Sequence, residues 1–95
     1  MIARRDYKVP GGKLLRAEVE VEAGCVVAAS VQGDFFAFPE EAFEAAEAEL
    51  SKLPVDRLGE AALSLFSRPP LKIFGAGAAD IAALLVETAR EAQAH

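Results

Sequence analysis

The sequence predicts an α+β fold, a two-layer domain in which an antiparallel β-hairpin, or a three-stranded sheet, packs against about three helices. Three observations predict it. Leu15, Ala17, Val19 and Val21 alternate with Arg16, Glu18, Glu20 and Glu22, the period of two of a strand with one dry face and one wet face. From Pro39 onward the apolar residues take up helical spacing. The strands come first and the helices afterwards, which is the order of an α+β domain. The 95 residues, 53% hydrophobic and 26% charged, suit one folded domain spanning 1–95 and exclude a disordered chain.

Residues 4–9 are read as a third strand beside the hairpin. After the strand at 15–22, Ala23-Gly24 supplies a tight turn in which Gly24 can take positive φ. The second strand is expected to bury Val27, Ala29 and Val31 and to expose Ser30 and Gln32. Gly33-Asp34 ends it. Pro39 fits the first turn of a helix, where its missing N–H costs nothing, and Glu40 and Glu41 suit the positive end of the helix dipole. Phe43, Ala46, Leu50 and Leu53 form one stripe, with Glu40, Glu44 and Glu47 expected in water. Pro54 breaks this helix and Asp56 is the expected N-cap of the next. That helix presents Leu58, Ala62, Leu65 and Phe66 and stops at Pro69-Pro70. A short apolar piece, Leu71-Lys72-Ile73-Phe74, leads through Gly75-Ala76-Gly77 into a last helix over 78–92. Ile81, Leu84, Leu85 and Thr88 are in register on it, with Asp80 and Arg90 placed to complement its dipole.

Charge narrows the function classes. The net charge is −5. Residues 1–16 hold Arg4, Arg5, Lys8, Lys13 and Arg16 against Asp6 alone, while residues 17–50 hold nine carboxylates and no base. A nucleic-acid binder needs a broad basic face to displace counterions, so no nucleic-acid partner is expected. No apolar run reaches the ~18 residues of a membrane span, and the basic start is not followed by an apolar stretch. No membrane partner is expected, and a cytoplasmic location is.

Chemistry-bearing residues are sparse. One cysteine, Cys25, read as lying in the hairpin turn, and one histidine, His95, at a chain end expected to fray, give poor support to a His/Cys metal site or a Cys–His nucleophile. Gly75-Ala76-Gly77-Ala78-Ala79-Asp80 lacks the third glycine of a dinucleotide fingerprint and is read as a connector. The carboxylates of the first helix are read as a solvated face, not as catalytic acids. No catalytic residue is assigned.

Gly33-Asp34-Phe35-Phe36, followed by Phe38, stands out. Burying one such ring is worth roughly 2–3 kcal/mol. The adjacent pair must face opposite ways, one ring into the core and the other, with Gly33, Asp34 and Phe38, toward a partner.

These residues, with Lys8-Val9-Pro10-Gly11-Gly12-Lys13, the hairpin and the Glu-rich helix, resemble the C-terminal accessory domain of bacterial and archaeal lipoate–protein ligases. The resemblance runs from about Tyr7 to Ala89. The chain starts at Met1 without a ligase domain before it, so it looks like the form of that domain that exists as a separate subunit. The resemblance implies a non-catalytic protein that docks on a ligase catalytic subunit and supports the formation of lipoyl-adenylate from lipoate and ATP. Lipoate, ATP and magnesium would belong to that complex and not to this chain alone, and a lipoyl-acceptor domain is a further candidate partner. It also implies that Lys8, Gly11, Gly12, Lys13, Gly33, Asp34, Phe35, Phe36 and Phe38 face the partner or the adenylate, with a lysine meeting the anion.

The fold is similar, too, to that of iron–sulfur cluster scaffold proteins. Asp34 and Phe74 stand where those proteins place cysteines, and thiolates are what hold such clusters. Cluster assembly is therefore rejected. The alternatives kept open are a scaffold relative that has lost its ligands and a general interaction module.

Overall fold

Three antiparallel strands carry the domain in the computed structural model, which describes residues 1–94: β1 (Ile2–Lys8), β2 (Leu14–Glu22) and β3 (Cys25–Gly33), in the order β1-β2-β3. A two-stranded ribbon, β4 (Phe36–Phe38) with β5 (Lys72–Phe74), lies apart from this sheet. Three helices complete the chain: α1 (Glu40–Glu49), α2 (Val55–Phe66) and α3 (Ala78–Ala94). The α+β class and its three-stranded sheet are as the patterning predicts. The expectation for His95 falls outside the described residues.

The third strand begins two residues earlier than its sequence signal. It pairs with β2 along its whole length, and on the outer face Arg4 pairs with Glu18 across the strands and Arg16 Nε donates to Asp6 Oδ1 at 2.8 Å. These pairs lie on the sheet's wet face. Its dry face carries Leu15, Ala17, Val19, Val21, Val26 and Val31, all buried. Helices α2 and α3 cover that face with Leu58, Ala62, Leu65, Ile81, Leu85 and Ala89. Arg5, on the dry side of the edge strand, reaches out to Glu87 and Glu91 of α3 at 3.6 and 3.7 Å.

The turn at Ala23-Gly24 joins β2 to β3 with φ of 51° and 79°, so both residues take the left-handed conformation that a two-residue hairpin loop demands. Cys25 is not in the turn. It opens β3, half-buried, and bridges to Pro54. A register shift follows, in which Glu20 faces Ala28 but Val21 faces Val26. Val27 is the extra residue. The bulge reverses the expected alternation: Val26 points into the core and Val27 is 45% exposed.

The outer edge of β3 is closed by the chain around the end of α1. The Val31 N–H donates to Glu47 Oε2 at 2.8 Å, the Val26 N–H to the Leu53 carbonyl at 2.8 Å, and the Lys52 N–H to the Val26 carbonyl at 2.6 Å. Glu47 is therefore half-buried and hydrogen-bonded, not out in water as its place in the acidic run suggested. Burial, joined by the nearby Glu44 charge, raises its pKa above the usual carboxylate range, although the Val31 hydrogen bond pulls the other way.

Both prolines that introduce helices sit one residue before them. Pro39 and Pro54 are the N-cap residues of α1 and α2, and Asp56 lies in the first turn of α2 instead of capping it. The opening of α3 is tied by Asp80, whose Oδ2 accepts from the Gly77 N–H at 3.1 Å. This helix runs two residues past the expected end, so Arg90 lies within it and not in its last turn.

Candidate functional site

Gly33 sets the geometry of the candidate site. Its φ of 154° and its packing leave no room for a side chain, because a Cβ there would run into the Leu14 carbonyl oxygen and approach the Leu15 Cα at 3.0 Å. The Asp34 N–H donates to that same Leu14 carbonyl at 2.9 Å. The end of β3 is thus tied to the start of β2, and the chain turns away from the sheet into the aromatic segment.

The four residues that follow divide by direction. Phe35 packs on the core, its ring centroid 5.4 Å from that of Phe43, which in turn lies 5.1 Å from Phe66. Phe36 and Phe38 point the other way from β4, and Ala37 between them packs inward. Phe36 pairs with Phe74 and Phe38 with Lys72. Residues directly opposite in an antiparallel pair share a face, so Phe36, Phe38, Phe74 and Lys72 form one outward surface. The three rings are 78%, 71% and 59% exposed. At about 150–250 Å² per ring this is roughly 300–500 Å² of apolar surface, as large as the largest such patch on a typical monomer.

The glycine loop lies at the same end of the sheet as Gly33. Lys8 closes β1 opposite Leu14, and residues 9–13 turn tightly, with the Val9 N–H donating to the Lys13 carbonyl at 2.7 Å and the Gly12 N–H to the Val9 carbonyl at 3.0 Å. Gly11 and Gly12 have φ of 107° and 106°. Lys8 and Lys13 are exposed and form no ion pair among the described residues. The fold therefore brings Lys13, Gly33 and Asp34 together through Leu14. Gly75, at the end of β5, lies against the Asp34 carbonyl and Phe35. Phe36 and Phe38 extend from this corner along the ribbon.

Two site residues escaped the sequence reading, Phe74 and Lys72. The segment around them was recognised as short and apolar, but only the β4–β5 register shows that it shares a face with Phe36. Of the positions compared with scaffold cysteines, Asp34 lies two residues before this ribbon and Phe74 is the last residue of β5 within it. Neither carries a thiol, and no group of three metal-ligating side chains occurs among the described residues.

No family model matches the sequence, and no curated protein matches it. Among solved structures, the chain is similar to one from a structural analysis of an archaeal lipoylation system, a bi-partite lipoate protein ligase and its E2 lipoyl domain from Thermoplasma acidophilum. The TM-score is 0.77 at 19% identity, and the similarity covers 90% of this chain and 94% of that one. At this identity the likeness establishes the fold. No helix of the described residues is long and apolar enough to cross a membrane.

Proposed function

We propose that this protein is a non-catalytic accessory subunit of a lipoate–protein ligase, docking on the catalytic subunit and favouring the conformation that makes lipoyl-adenylate. The observation that carries the docking is the outward row of Phe36, Phe38 and Phe74. A standard interface takes about 800 Å² from each partner. The aromatic row supplies about half of that, the apolar centre, and leaves a polar rim to be met by Lys72, Asp34 and the glycine loop. The shared fold with a chain from a bi-partite ligase system supports the class of partner.

A subunit without catalytic groups acts on a reaction by binding one conformation of the enzyme better than another. Each ~1.4 kcal/mol of such preference changes the population ratio about tenfold. The docked rings act in this way to the extent that their seat is formed in one conformation of the catalytic subunit and not in the other. Lipoate, ATP and magnesium are then held by the catalytic subunit, in the cytoplasm, with Lys8 or Lys13 of this chain offered toward the anionic adenylate. The test is lipoyl-adenylate formation by the ligase catalytic subunit of the same organism, with and without this protein. Dependence on the chain, lost in Phe36→Ala, is expected. Equal adenylation without it overturns the proposal.

A further inference from the structure

Beside the aromatic row runs a second feature that apolar docking alone does not use. A groove of about 380 Å³ separates Phe36 from the first two turns of α1. Phe35, Phe36 and Phe43 line it together with Glu40 and Glu44. Phe35 and Phe43 belong to the tilted Phe35–Phe43–Phe66 ring cluster packed on the core, which fixes this part of the lining.

Its charge is unbalanced. Glu40 and Glu44 are four residues apart on one helix face, a like-charge spacing that costs about 0.2–0.5 kcal/mol. Neither is in an ion pair among the described residues, and no Lys or Arg occurs between Arg16 and Lys52. The helix N-terminus offers only about half a positive charge, against the three carboxylates of Glu40, Glu41 and Glu44. A groove lined by both aromatic rings and carboxylates is complementary to a cation. A guanidinium suits it best, because it stacks flat on a ring while its N–H groups fork onto a carboxylate.

We propose that this groove receives an arginine side chain of the ligase catalytic subunit, stacked on an aromatic ring of its lining and paired with Glu40 or Glu44. This rests on the docking reading above, and two measurements separate them. The first uses the free protein and N-acetyl-arginine methylamide as probe, followed by NMR, with N-acetyl-norleucine methylamide as the uncharged control. The arginine probe alone should shift the Phe35 and Phe36 ring signals and the Glu40 and Glu44 carboxyl signals, and Glu40→Gln/Glu44→Gln should abolish the shifts. Absence of any arginine-specific shift overturns the proposal.

The second measures affinity for the catalytic subunit at low and high salt. The double variant, which should melt no lower than the native protein, should bind at least about tenfold more weakly and with a flatter salt dependence. Unchanged affinity and salt dependence in that variant overturn the groove and leave docking intact. If the native protein does not bind the catalytic subunit but the arginine probe shifts the groove signals, the docking reading falls and overturns the catalytic subunit as the source of the arginine, while the groove keeps its affinity for a guanidinium.

Discussion

Phe36 faces Phe74 directly across the β4–β5 ribbon, and both rings point away from the core. The ribbon's other face, Ala37 and Ile73, is what holds it to the domain. Attachment and display are therefore divided between the two faces of three residue pairs. Replacing an outward ring should leave stability almost untouched while removing binding surface.

That division gives the first prediction. Phe36→Ala and Phe74→Ala should each change the urea midpoint by less than about 0.5 kcal/mol equivalent, as surface substitutions do. Each should weaken association with the ligase catalytic subunit by about 2 kcal/mol, the loss typical of a central aromatic anchor. Calorimetric titration beside a denaturation curve checks both. A large drop in stability would mean the rings hold the fold and do not serve docking.

Gly33→Ala should do the opposite. The substituted Cβ meets backbone at Leu14, which cannot swing aside as a side chain can, and the φ of 154° is itself strained for an L residue. A loss of about 2–4 kcal/mol is expected, the range of overpacking added to an unfavourable backbone conformation. Urea unfolding measures it. A loss under about 1 kcal/mol would show that the corner between β3 and the aromatic segment is loose.

How far these features were legible in the sequence depends on the distance over which they are encoded. The β2 alternation and the stripe of α2 are local, and Leu15, Val19, Leu58 and Leu65 are buried as their spacing implies. The bulge at Val27 is not local in this sense. Val26-Val27-Ala28-Ala29 offers two equivalent apolar phases, and the selection of Val26 comes from its hydrogen bonds to Leu53 and Lys52, far along the chain. Glu47 read as one more surface carboxylate because its partner, the Val31 amide, lies on another element. Of the aromatic face, Phe36 and Phe38 were visible as a cluster, but Phe74 joins them only through strand pairing 38 positions away.

Ala23 provides a stabilising prediction. It holds φ of 51° at the first position of the β2–β3 turn, where a non-glycine residue other than Asn or Asp pays roughly 1 kcal/mol. Ala23→Asn creates the Asn-Gly pair that such turns favour. A gain of about 0.5–1 kcal/mol is expected by thermal or urea unfolding, without effect on any docking through Phe36. A destabilised Ala23→Asn would mean the turn does not keep this conformation in solution.

Glu47 makes the pH dependence of stability testable. Its folded-state pKa is raised by burial above the ordinary carboxylate value of 4.5. The folded protein therefore binds more protons than the unfolded chain in the interval just above that value. The contribution to stability is fully present below the unfolded pKa and is lost as pH rises through the folded pKa. Asp6 has the opposite sign: the Arg16 hydrogen bond lowers its pKa, and its contribution is lost in acid. Glu47→Gln keeps an oxygen to accept from the Val31 N–H while removing the buried charge and its repulsion with Glu44. The variant should be more stable than the native protein at pH 7. The difference should shrink as pH falls toward 4.5 and vanish below it, leaving the acid loss due to Asp6 common to both. Urea midpoints for the two proteins between pH 4 and 7 give the comparison. If Glu47→Gln were less stable at pH 7 and equal in acid, the charged hydrogen bond to β3 would outweigh burial, and the direction assigned to this carboxylate would be wrong.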